Sequence, residues 1–417
     1  MNIQGGNFVG SLIHERKPGY TLPAELYTSQ DAFEVDLEIF FRRHWIVAGV
    51  EADVPEPGDI KTLEIGKTSI IIARDDDGRL QAFHNVCRHR GARLITEHKT
   101  SVGRLVCPYH QWSYDLDGSL VYASQMNNEI DRSCHSLRPV HIRSIAGLLM
   151  ICIDENAPAD IDDFEKLATP RLLPFGLAEA KIAHEEVLIE EGNWKLSVDN
   201  NRECYHCEGS HPELCRTLNG LDIGFDPGAL TEEQLEEWNK HSAEVVQETA
   251  RWEAAGFPSS LIEEITGRTT MLRTQRFVIA ESGESHTMDS KAASKRLMGE
   301  MPEFRMGDTH MHTHNSWHHF FADHAVVSYI IPLSPSRTEL RSLWLVHKDA
   351  KEGFDYDLNN LITVWKATNQ QDADLVKLAQ QGVETTGYVP GPLSRHVERL
   401  VDLNLNWYIE RLRAAGY

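Results

Sequence analysis

One stretch, Asn193-Trp-Lys-Leu-Ser-Val-Asp-Asn-Asn-Arg-Glu203-Cys-Tyr-His206-Cys-Glu-Gly-Ser-His211, concentrates more potential metal ligands and acid–base groups than any other part of the chain. On a helix, Glu203 and His206 would share a face, whereas His211 would point well around an unbroken cylinder. Gly209 and the proline after His211 weaken or end a helix, so we expect His211 to swing back towards His206. Two converging imidazoles with a carboxylate nearby are typical of non-haem Fe(II) sites.

Two other interpretations of this stretch stay open at this point. Cys204-x-x-Cys207, together with His206 and His211, could form a structural zinc site, because zinc commonly takes cysteine and histidine ligands. Either histidine could also be a hydrogen-bonded residue of the core. The choice between them depends on a second motif elsewhere in the chain.

That second motif is the pair Cys87-x-His89 and Cys107-x-x-His110. Each loop offers one thiolate and one imidazole, so two such loops can place both cysteines on one iron and both histidines on the other iron of a [2Fe–2S] cluster. This is the Rieske arrangement, in which neutral imidazoles raise the reduction potential of the cluster. Zinc is the competing interpretation, but zinc fingers usually group two cysteines and then two histidines, whereas each loop here carries a mixed pair.

Composition narrows the class of protein further. The 417 residues are 41% hydrophobic, which indicates a globular chain of two or three domains. The amino terminus does not resemble a signal peptide, and no apolar run is long enough to span a membrane, so we expect a cytoplasmic protein without membrane contact. The seven cysteines are an odd number, and four of them belong to the two cysteine–histidine motifs above, which favours metal ligation over disulfides. The formal net charge of −22 argues against nucleic-acid binding and suits a cationic or zwitterionic ligand.

Hydrophobic periodicity predicts an α+β protein with two units. Before them, residues 1–44 form an extended segment and a helix over 31–41. Short strands at 60–63, 69–73, 80–84, 139–142 and 148–153 predict an antiparallel β domain over residues 45–156 that carries the Rieske motif. A linker at 155–158 then leads into a catalytic domain over 157–417. Its predicted strands are 183–190, 271–279, 317–321, 325–332 and 339–346, and its long helices are 356–381 and 396–413.

Two polar regions of the second unit carry weaker predictions. Residues 219–265 are acidic and partly helical, which predicts a surface excursion or lid with short helices and no visible chemistry. A run of histidines follows on a strand or loop, and we expect most of them to be core or rim residues with a minority lining a pocket. The run consists of His310, His312, His314, His318, His319 and His324.

Taken together, these motifs resemble the α subunits of Rieske non-haem iron oxygenases, and the resemblance extends nearly end to end. It is carried by the two Rieske loops, by Asn193-Trp194-Lys195, and by Asn200, Glu203, Tyr205-His206 and His211. Further strings are most similar to the enzymes that demethylate glycine betaine and proline betaine. They are Arg202-Glu203-Cys204-Tyr205-His206-Cys207, Thr287-Met288-Asp289, Trp344-Leu345-Val346-His347-Lys348-Asp349 and Tyr388-Val389-Pro390-Gly391-Pro392.

The resemblance implies a complete set of iron ligands and a helix-grip catalytic domain. The family places its third ligand, an aspartate, in the penultimate long helix about ten residues before a Gln-Gly, and Asp372 takes that place. Asp374 is a rival, but two residues along a helix it faces roughly 200° away. Glu384 is a weaker candidate. With His206 and His211, Asp372 would bind mononuclear Fe(II).

The resemblance also implies partners and an electron path. In the family the position of Glu203 bridges a cluster histidine of one subunit to an iron histidine of the next, so a homotrimer is the electron-transfer unit. Electrons would come from NADH through a separate flavin and iron–sulfur reductase, because this chain has no Gly-x-Gly-x-x-Gly for a dinucleotide. They would pass from the Rieske cluster through His110 and Glu203 to His206.

The implied activity is O2-dependent N-demethylation of a small betaine, with release of formaldehyde. A quaternary ammonium group is recognised by aromatic faces, and the candidates are Tyr205, Trp317, Phe320 and Phe321. One alternative is an aromatic-ring-hydroxylating dioxygenase with the same metals and an apolar pocket. A Rieske electron carrier is the other, but it leaves the histidine–aspartate set and the second domain unexplained.

Overall fold

The structure is a computed structural model, and it describes residues 3–126, 129–219, 222 and 225–417. The helices are α1 Ile3–Glu15, α2 Ala24–Thr28, α3 Gln30–Asp36, α4 Ile161–Leu172, α5 Trp194–Asn201, α6 Cys207–Ser210, α7 Glu232–Ala254, α8 Leu358–Val383 and α9 Arg399–Ala414. The strands of the first unit are β1 Ile46–Val50, β2 Asp59–Ile65, β3 Thr68–Arg74, β4 Leu80–His84, β5 Lys99–Ser101, β6 Leu105–Val106, β7 Ser113–Tyr114, β8 Leu120–Tyr122, β9 His141–Ile145 and β10 Leu148–Cys152. Those of the second are β11 Lys181–Glu190, β12 Ile262–Glu264, β13 Leu272–Phe277, β14 Asp308–Thr313, β15 Ser316–Phe320, β16 His324–Ser334 and β17 Arg337–Val346.

The first unit consists of three small antiparallel sheets. Their strand orders are β4-β3-β2-β5, β6-β7-β8 and β1-β10-β9. The β-branched run Ile70-Ile71-Ile72 makes β3 a buried central strand, because such side chains pack well on a pleated surface. The predicted antiparallel β domain is therefore confirmed as a fold class.

The second unit is built on one seven-stranded antiparallel sheet of order β11-β17-β16-β15-β14-β13-β12. Strand β13 shows why one face of this sheet carries the chemistry: its residues alternate between buried and half-buried, so every second side chain points to the same side. Helix α8 packs against β11 and α5 and contributes one face of the functional site. The predicted helix-and-sheet catalytic domain is confirmed, whereas the predicted boundaries at 44, 156 and 157 stay predictions.

Three parts of the chain differ from the sequence-based expectation. The amino-terminal segment is helical rather than extended, because Val9, Leu12 and Ile13 of α1 are buried against the core. The histidine run, expected on a strand or loop, lies largely on strands β14 and β15; its polar residues hide the apolar alternation that would have given the bounds of β14. Within 219–265, α7 is one long helix and β12 is an edge strand of the main sheet, while residues 220, 221, 223 and 224 lie outside the described residues.

A buried carboxylate fixes the start of α5. Asp36 is 0% exposed and accepts hydrogen bonds from the indole of Trp194 at 2.9 Å and the hydroxyl of Tyr408 at 2.8 Å. It also pairs with the buried ammonium of Lys195. The carboxylate therefore ties the amino-terminal helices and α9 to the helix that leads into the functional stretch.

A second buried network joins the two units. Lys61 of β2 donates to Asp53 at 2.7 Å and to the hydroxyl of Tyr329 in β16 at 2.9 Å. Lys99 of β5 bonds both Asp53 and Glu185 of β11, each at 2.7 Å. Charges that are paired in this way inside a protein fix relative orientation, because leaving any one of them unpaired is costly.

Close packing at Gly192 sets how α8 approaches the start of α5. A Cβ atom at this position would lie 2.4 Å from the Cγ1 of Val376 and 3.2 Å from its carbonyl oxygen, so no larger residue fits without movement. Next to it, the backbone N–H of Asn193 donates to the side-chain oxygen of Gln380 at 2.9 Å. Helix α8 is therefore held against the β11–α5 junction at two adjacent residues.

Candidate metal centres and substrate cavity

Two loops of similar shape bring the predicted Rieske residues together. In each loop the residue four positions after the cysteine donates its N–H to the cysteine carbonyl, Gly91 to Cys87 and Gln111 to Cys107, both at 3.0 Å. Both of these residues adopt a positive φ, 76° and 61°, a conformation that glycine tolerates best. The matching turns let two short segments of different spacing present their side chains in the same way.

The two loops bring cysteine next to cysteine and histidine next to histidine. Cys87 and Cys107 are both buried and close enough to interact, and burial together with Cys87 raises the pKa of Cys107. The rings of His89 and His110 lie 4.7 Å apart and nearer the surface. This arrangement fits a two-iron cluster whose inner iron is held by thiolates and whose outer iron is held by imidazoles, rather than one zinc ion surrounded by all four ligands.

Neighbouring side chains support the cluster loops. The hydroxyl of Tyr114 lies 3.3 Å from the Sγ of Cys87 and accepts the backbone N–H of Arg88 at 2.9 Å. The indole of Trp112 stacks on His89 with ring centroids 4.7 Å apart. Such contacts fix the ligand rings and limit water at the sulfurs, which tunes the potential of a bound cluster.

The second centre lies where α6 faces α8. The Nε2 atoms of His206 and His211 are 3.0 Å apart, and the Oδ1 of Asp372 lies 3.2 Å and 3.0 Å from them. That oxygen is buried and has no hydrogen bond of good geometry among the described residues. Three potential ligand atoms that all lie within 3.2 Å of one another are the arrangement expected of metal ligands.

The spacing of these donors discriminates between metals. Ligands about 2.1 Å from a metal lie about 3.0 Å apart at right angles, as on one face of an octahedron, and about 3.4 Å apart at tetrahedral angles. The observed 3.0–3.2 Å matches the octahedral face used by two-histidine, one-carboxylate iron sites better than tetrahedral zinc. The residues present therefore fit a mononuclear iron.

Cysteine 207 offers a competing ligand for the same point. Its sulfur also lies within 4.8 Å of ligand nitrogens of His206 and His211. However, the Oδ1 of Asp372 lies 3.2 Å and 3.0 Å from the same two nitrogens, and a carboxylate completes the two-histidine, one-carboxylate set typical of non-haem iron sites. The predicted carboxylate ligand, Asp372, thus has the better position, and its rival Asp374 bonds Gln370 on the outer face of α8.

The two ligand histidines are oriented by side chains on their far nitrogens. Glu203 Oε1 lies 2.7 Å from the Nδ1 of His206, and Gln371 Oε1 lies 2.8 Å from the Nδ1 of His211. Burial lowers the pKa of His206, but the neighbouring carboxylates of Asp372 and Glu203 outweigh burial and raise the pKa to about 9. Both outer acceptors favour the tautomer in which Nε2 is free to bind a metal. Gln371 was not predicted from the sequence, since a helical glutamine beside an aspartate carries no distinctive signal.

The local backbone differs from the predicted helix. Helix α5 ends at Asn201, and Glu203 and His206 lie in the turn before α6 rather than on one helical face. The cause is Arg202, whose buried guanidinium bonds Asn201 at 2.9 Å and also donates to the carbonyl of Thr313. Glu203 therefore lies next to His206 as predicted, but the two residues meet in a turn and not on one face of a helix.

A cavity of about 260 Å³ opens beside the second centre. This volume lies at the small end of ligand cavities, which commonly span roughly 300–1,000 Å³. Its wall is formed by alternate residues of β13, β14 and β15, by α8 and by the loop of ligands. The aromatic and histidine side chains that line it are Trp317, Trp365, Phe277, His286, His310, His312, His319 and His396.

The predicted substrate aromatics lie in different places. Trp317 lines the cavity, whereas Phe320 and Phe321 are 0% exposed and belong to the core. Tyr205 is 71% exposed and is not among the residues that line this cavity. As substrate contacts these residues remain predictions. Trp365 and Phe277, which do line the cavity, were not singled out from the sequence because a helical tryptophan and a strand phenylalanine are usually core residues.

The histidine run divides between cavity and core. His310, His312 and His319 alternate along β14 and β15 and line the cavity. His319 also bonds buried Asp308 at 2.7 Å and stacks on the indole of Trp365 at 3.8 Å. His314, His318 and His324 are buried in the core. Half of the run therefore faces the cavity, a larger share than the sequence suggested.

Comparisons with known proteins match each of the two units to a known domain. Residues 44–142 match the model of the Rieske [2Fe–2S] domain, and residues 177–414 match that of the ring hydroxylating alpha subunit catalytic domain. The chain is 39% identical over 403 residues to the glycine betaine monooxygenase oxygenase subunit of Chromohalobacter salexigens, covering 96% of this chain and 88% of that one. The protein of the same description from Pseudomonas aeruginosa strain UCBPP-PA14 is also 39% identical, over 96% and 91%.

More distant relatives share the fold. A crystal structure of the quaternary ammonium Rieske monooxygenase CntA in complex with an inhibitor superposes with a TM-score of 0.71 and 22% identity, over 96% of this chain and 98% of that one. Naphthalene 1,2-dioxygenase from Rhodococcus sp. bound to indole gives a TM-score of 0.64 and 18% identity over the whole of both chains. This chain belongs to the Rieske non-haem iron oxygenases, as an oxygenase subunit that combines a Rieske [2Fe–2S] domain with a non-haem iron catalytic domain.

Proposed function

We propose that the protein is the oxygenase component of a Rieske monooxygenase that removes a methyl group from a small quaternary ammonium carboxylate, glycine betaine or proline betaine. The observation that carries the proposal is the cavity, which is small, ends at the three converging ligands and has the indole rings of Trp317 and Trp365 in its wall. Aromatic faces attract quaternary ammonium groups. The identity with glycine betaine monooxygenase oxygenase subunits over nearly the whole chain supports the same substrate class.

The residues would divide the work between two metal centres. Cys87, His89, Cys107 and His110 would hold the cluster, and His206, His211 and Asp372 would hold the iron. When bound, these groups supply electrons and the activation of dioxygen. Glu203 and Gln371 would keep the two iron histidines in the metal-binding tautomer, while the indole rings would hold the ammonium head beside the ligands.

The reaction balances as an oxygenation of one N-methyl group. One oxygen atom enters a methyl C–H bond, the other leaves as water, and NADH supplies two electrons through a separate reductase. The resulting N-hydroxymethyl ammonium loses formaldehyde and leaves a tertiary amine. Attack on a C–H bond is required because a quaternary nitrogen has no lone pair from which an electron could be taken.

The assembly and location are part of the same proposal. We infer a homotrimer in which Glu203 of one subunit lies between its own His206 and a cluster histidine of the neighbouring subunit. Glu203 is suited to this role because its carboxylate already bonds His206 and keeps 14% of its side chain exposed. Within the described ranges no helix is both long and apolar enough for a bilayer, and we propose a cytoplasmic location.

The test is a turnover assay with purified protein, iron, NADH, a generic reductase and a panel of betaines. We expect formaldehyde in proportion to NADH oxidation, with dimethylglycine from glycine betaine or N-methylproline from proline betaine. With labelled O2, one labelled oxygen atom should appear in the formaldehyde, which must be trapped before its oxygen exchanges with water. Formation of a cis-diol from an arene, with no formaldehyde from any betaine, would instead establish the ring-dioxygenase alternative.

A further inference from the structure

Three cavity residues form a row across neighbouring strands. Arg273 of β13 lies directly opposite His312 of β14, and His312 lies opposite Trp317 of β15. All three line the cavity. Since adjacent strands are about 4.8 Å apart, the backbone positions of Arg273 and Trp317 are separated by about 10 Å. A cation and an aromatic ring therefore face one short space from its two ends.

Every carboxylate in the cavity wall already has a partner. Each lies within 3.0 Å of a histidine nitrogen, in the pairs Glu203–His206, Asp372–His211, Asp308–His319 and Asp222–His241. These negative charges are therefore shared with imidazoles or, in the case of Asp372, committed to the metal centre. None of these four carboxylates is therefore free to neutralise an arginine of the cavity wall.

The arginines of the wall are not balanced in the same way. Arg399 makes two short bonds to Glu263, at 2.9 Å and 2.6 Å, and so uses both oxygens of that carboxylate. Arg273 reaches the same Glu263 only through its Nε, at 3.7 Å, and its terminal nitrogens make no hydrogen bond within the described part of the chain. Arg202 bonds only neutral oxygens.

Burial makes this imbalance costly. The side chain of Arg273 is 15% exposed, and burial lowers its pKa despite the nearby Glu263. A guanidinium nevertheless stays charged in proteins, so one in a cavity wall that shares its only carboxylate with another arginine attracts a further anion. A carboxylate fits best, because its two oxygens match two guanidinium N–H groups.

We propose that Arg273 is the anchor for the substrate carboxylate and selects zwitterionic betaines over quaternary amines that lack an acid group. The inference rests on the proposed function, since it names the part of the site that recognises the second charge of the substrate. With its carboxylate on Arg273, a short betaine directs its ammonium head across His312 towards Trp317. Arg273 thereby acts in specificity and positioning rather than in the chemical step.

Binding of two ligands that differ in one group tests the anchor. Glycine betaine and choline share a trimethylammonium head, but choline carries a hydroxyl in place of the carboxylate. Calorimetric dissociation constants would be measured for both on the cluster- and iron-loaded protein, without reductase. We expect Arg273→Met to weaken glycine betaine roughly tenfold to hundredfold, the usual worth of hydrogen bonds to a charged group, and to leave choline within about threefold.

Two further variants separate anchoring from general effects. Arg273→Lys keeps the charge without the paired N–H groups, so it should recover part of the affinity for glycine betaine. Lys348→Met removes one surface charge, paired with exposed Glu179 at 2.8 Å, and should change neither ligand. An unchanged urea unfolding transition, followed by tryptophan fluorescence, together with unchanged iron content shows that the catalytic unit of each variant is folded.

The outcomes distinguish this inference from the proposed function. If the unaltered protein binds neither of these ligands and does not bind proline betaine either, the betaine function itself is wrong. If it binds glycine betaine but Arg273→Met binds it equally well, or weakens choline by the same factor, the carboxylate lies elsewhere and the anchor is wrong. Loss of the preference for glycine betaine over choline, confined to Arg273 variants, is the result that supports it.

Discussion

Replacing Asp36 with alanine should disable the catalytic end of the protein from a distance. Asp36 contacts neither a metal ligand nor the cavity, but its buried carboxylate receives the indole N–H of Trp194, the ammonium of Lys195 and the hydroxyl of Tyr408. Trp194 and Lys195 are the first two residues of α5, the helix that leads directly to the candidate iron-binding stretch. The variant therefore leaves three buried donors without an acceptor.

The magnitude follows from those three contacts. Removing one partner of a buried ion pair costs about 3–5 kcal/mol, and each orphaned neutral donor adds about 1–3 kcal/mol. The three donors share one carboxylate, so their losses are not additive, and we expect a total of about 5 kcal/mol. Such a loss is comparable to the whole stability of many domains.

A double-mutant cycle measures this coupling. Asp36→Leu, Lys195→Met and the combined variant would be unfolded in urea, with tryptophan fluorescence for the fold and cluster absorbance for the Rieske unit. The combined variant should be more stable than Asp36→Leu alone, because it no longer buries an unpaired ammonium. Iron content should fall in Asp36→Ala before the cluster colour is lost, since α5 belongs to the catalytic unit.

Two results would refute this reasoning. An Asp36→Ala protein that unfolds at the same urea concentration as the unaltered chain would mean that the buried contacts contribute little. A combined variant less stable than either single variant would mean that Lys195 has another partner in the fold.

The remaining predictions concern the two centres and one buried acid. Cys87→Ser should abolish the visible and EPR signature of the cluster while sparing the mononuclear iron, and Asp372→Ala should do the reverse; zinc found at either site by metal analysis would contradict the assignment. Glu203→Gln should leave the oligomer and both centres intact but slow reoxidation of the reduced cluster in a single turnover, and unchanged kinetics would rule out this path. Burial raises the pKa of Glu190 to about 7 from an ordinary value of 4.5. Protonated Glu190 therefore stabilises the fold fully below about pH 4.5, and this contribution is lost as the pH rises through 7. We expect the free energy of unfolding of the unaltered protein, relative to that of Glu190→Gln, to fall by about 3 kcal/mol between pH 4.5 and pH 8. Urea unfolding at the two pH values would measure this change.

The candidate metal ligands could be picked out from the sequence because their chemistry is local, and their role as ligands stays a prediction. Cys87-x-His89 and Cys107-x-x-His110 each carry a complete half-site within a few residues, and no long-range contact is needed to recognise them. Asp372 was different, because nothing in its own segment separates it from Asp374 except a helical direction and a family pattern. The structure brings its Oδ1 within 3.2 Å of both histidines.

The parts that could not be predicted depend on tertiary contacts. The break after α5 is stabilised by Arg202, whose guanidinium donates to the carbonyl of Thr313 at the end of β14. The cavity wall depends on the register of β13, β14 and β15, which opposes Arg273 to His312 although the two residues are far apart in sequence. Gln380 looks like an ordinary helical residue until its side chain is seen to accept the N–H of Asn193.

The lack of a side chain at Gly192 lets α8 lie close enough to α5 for Asp372 to reach the two histidines. Asp372 lies one helical turn before Val376, the residue that a methyl group at position 192 would strike. Ordinary contact would require the Cγ1 of Val376 to move by about 1 Å and its carbonyl oxygen by a few tenths of an ångström. The second shift alone is as large as the usual tolerance of a metal–ligand bond, about 0.2 Å. Alanine at this position would thus displace Asp372 from His206 and His211 and weaken iron binding before it weakens the fold, although residue 192 contacts none of the three candidate ligands.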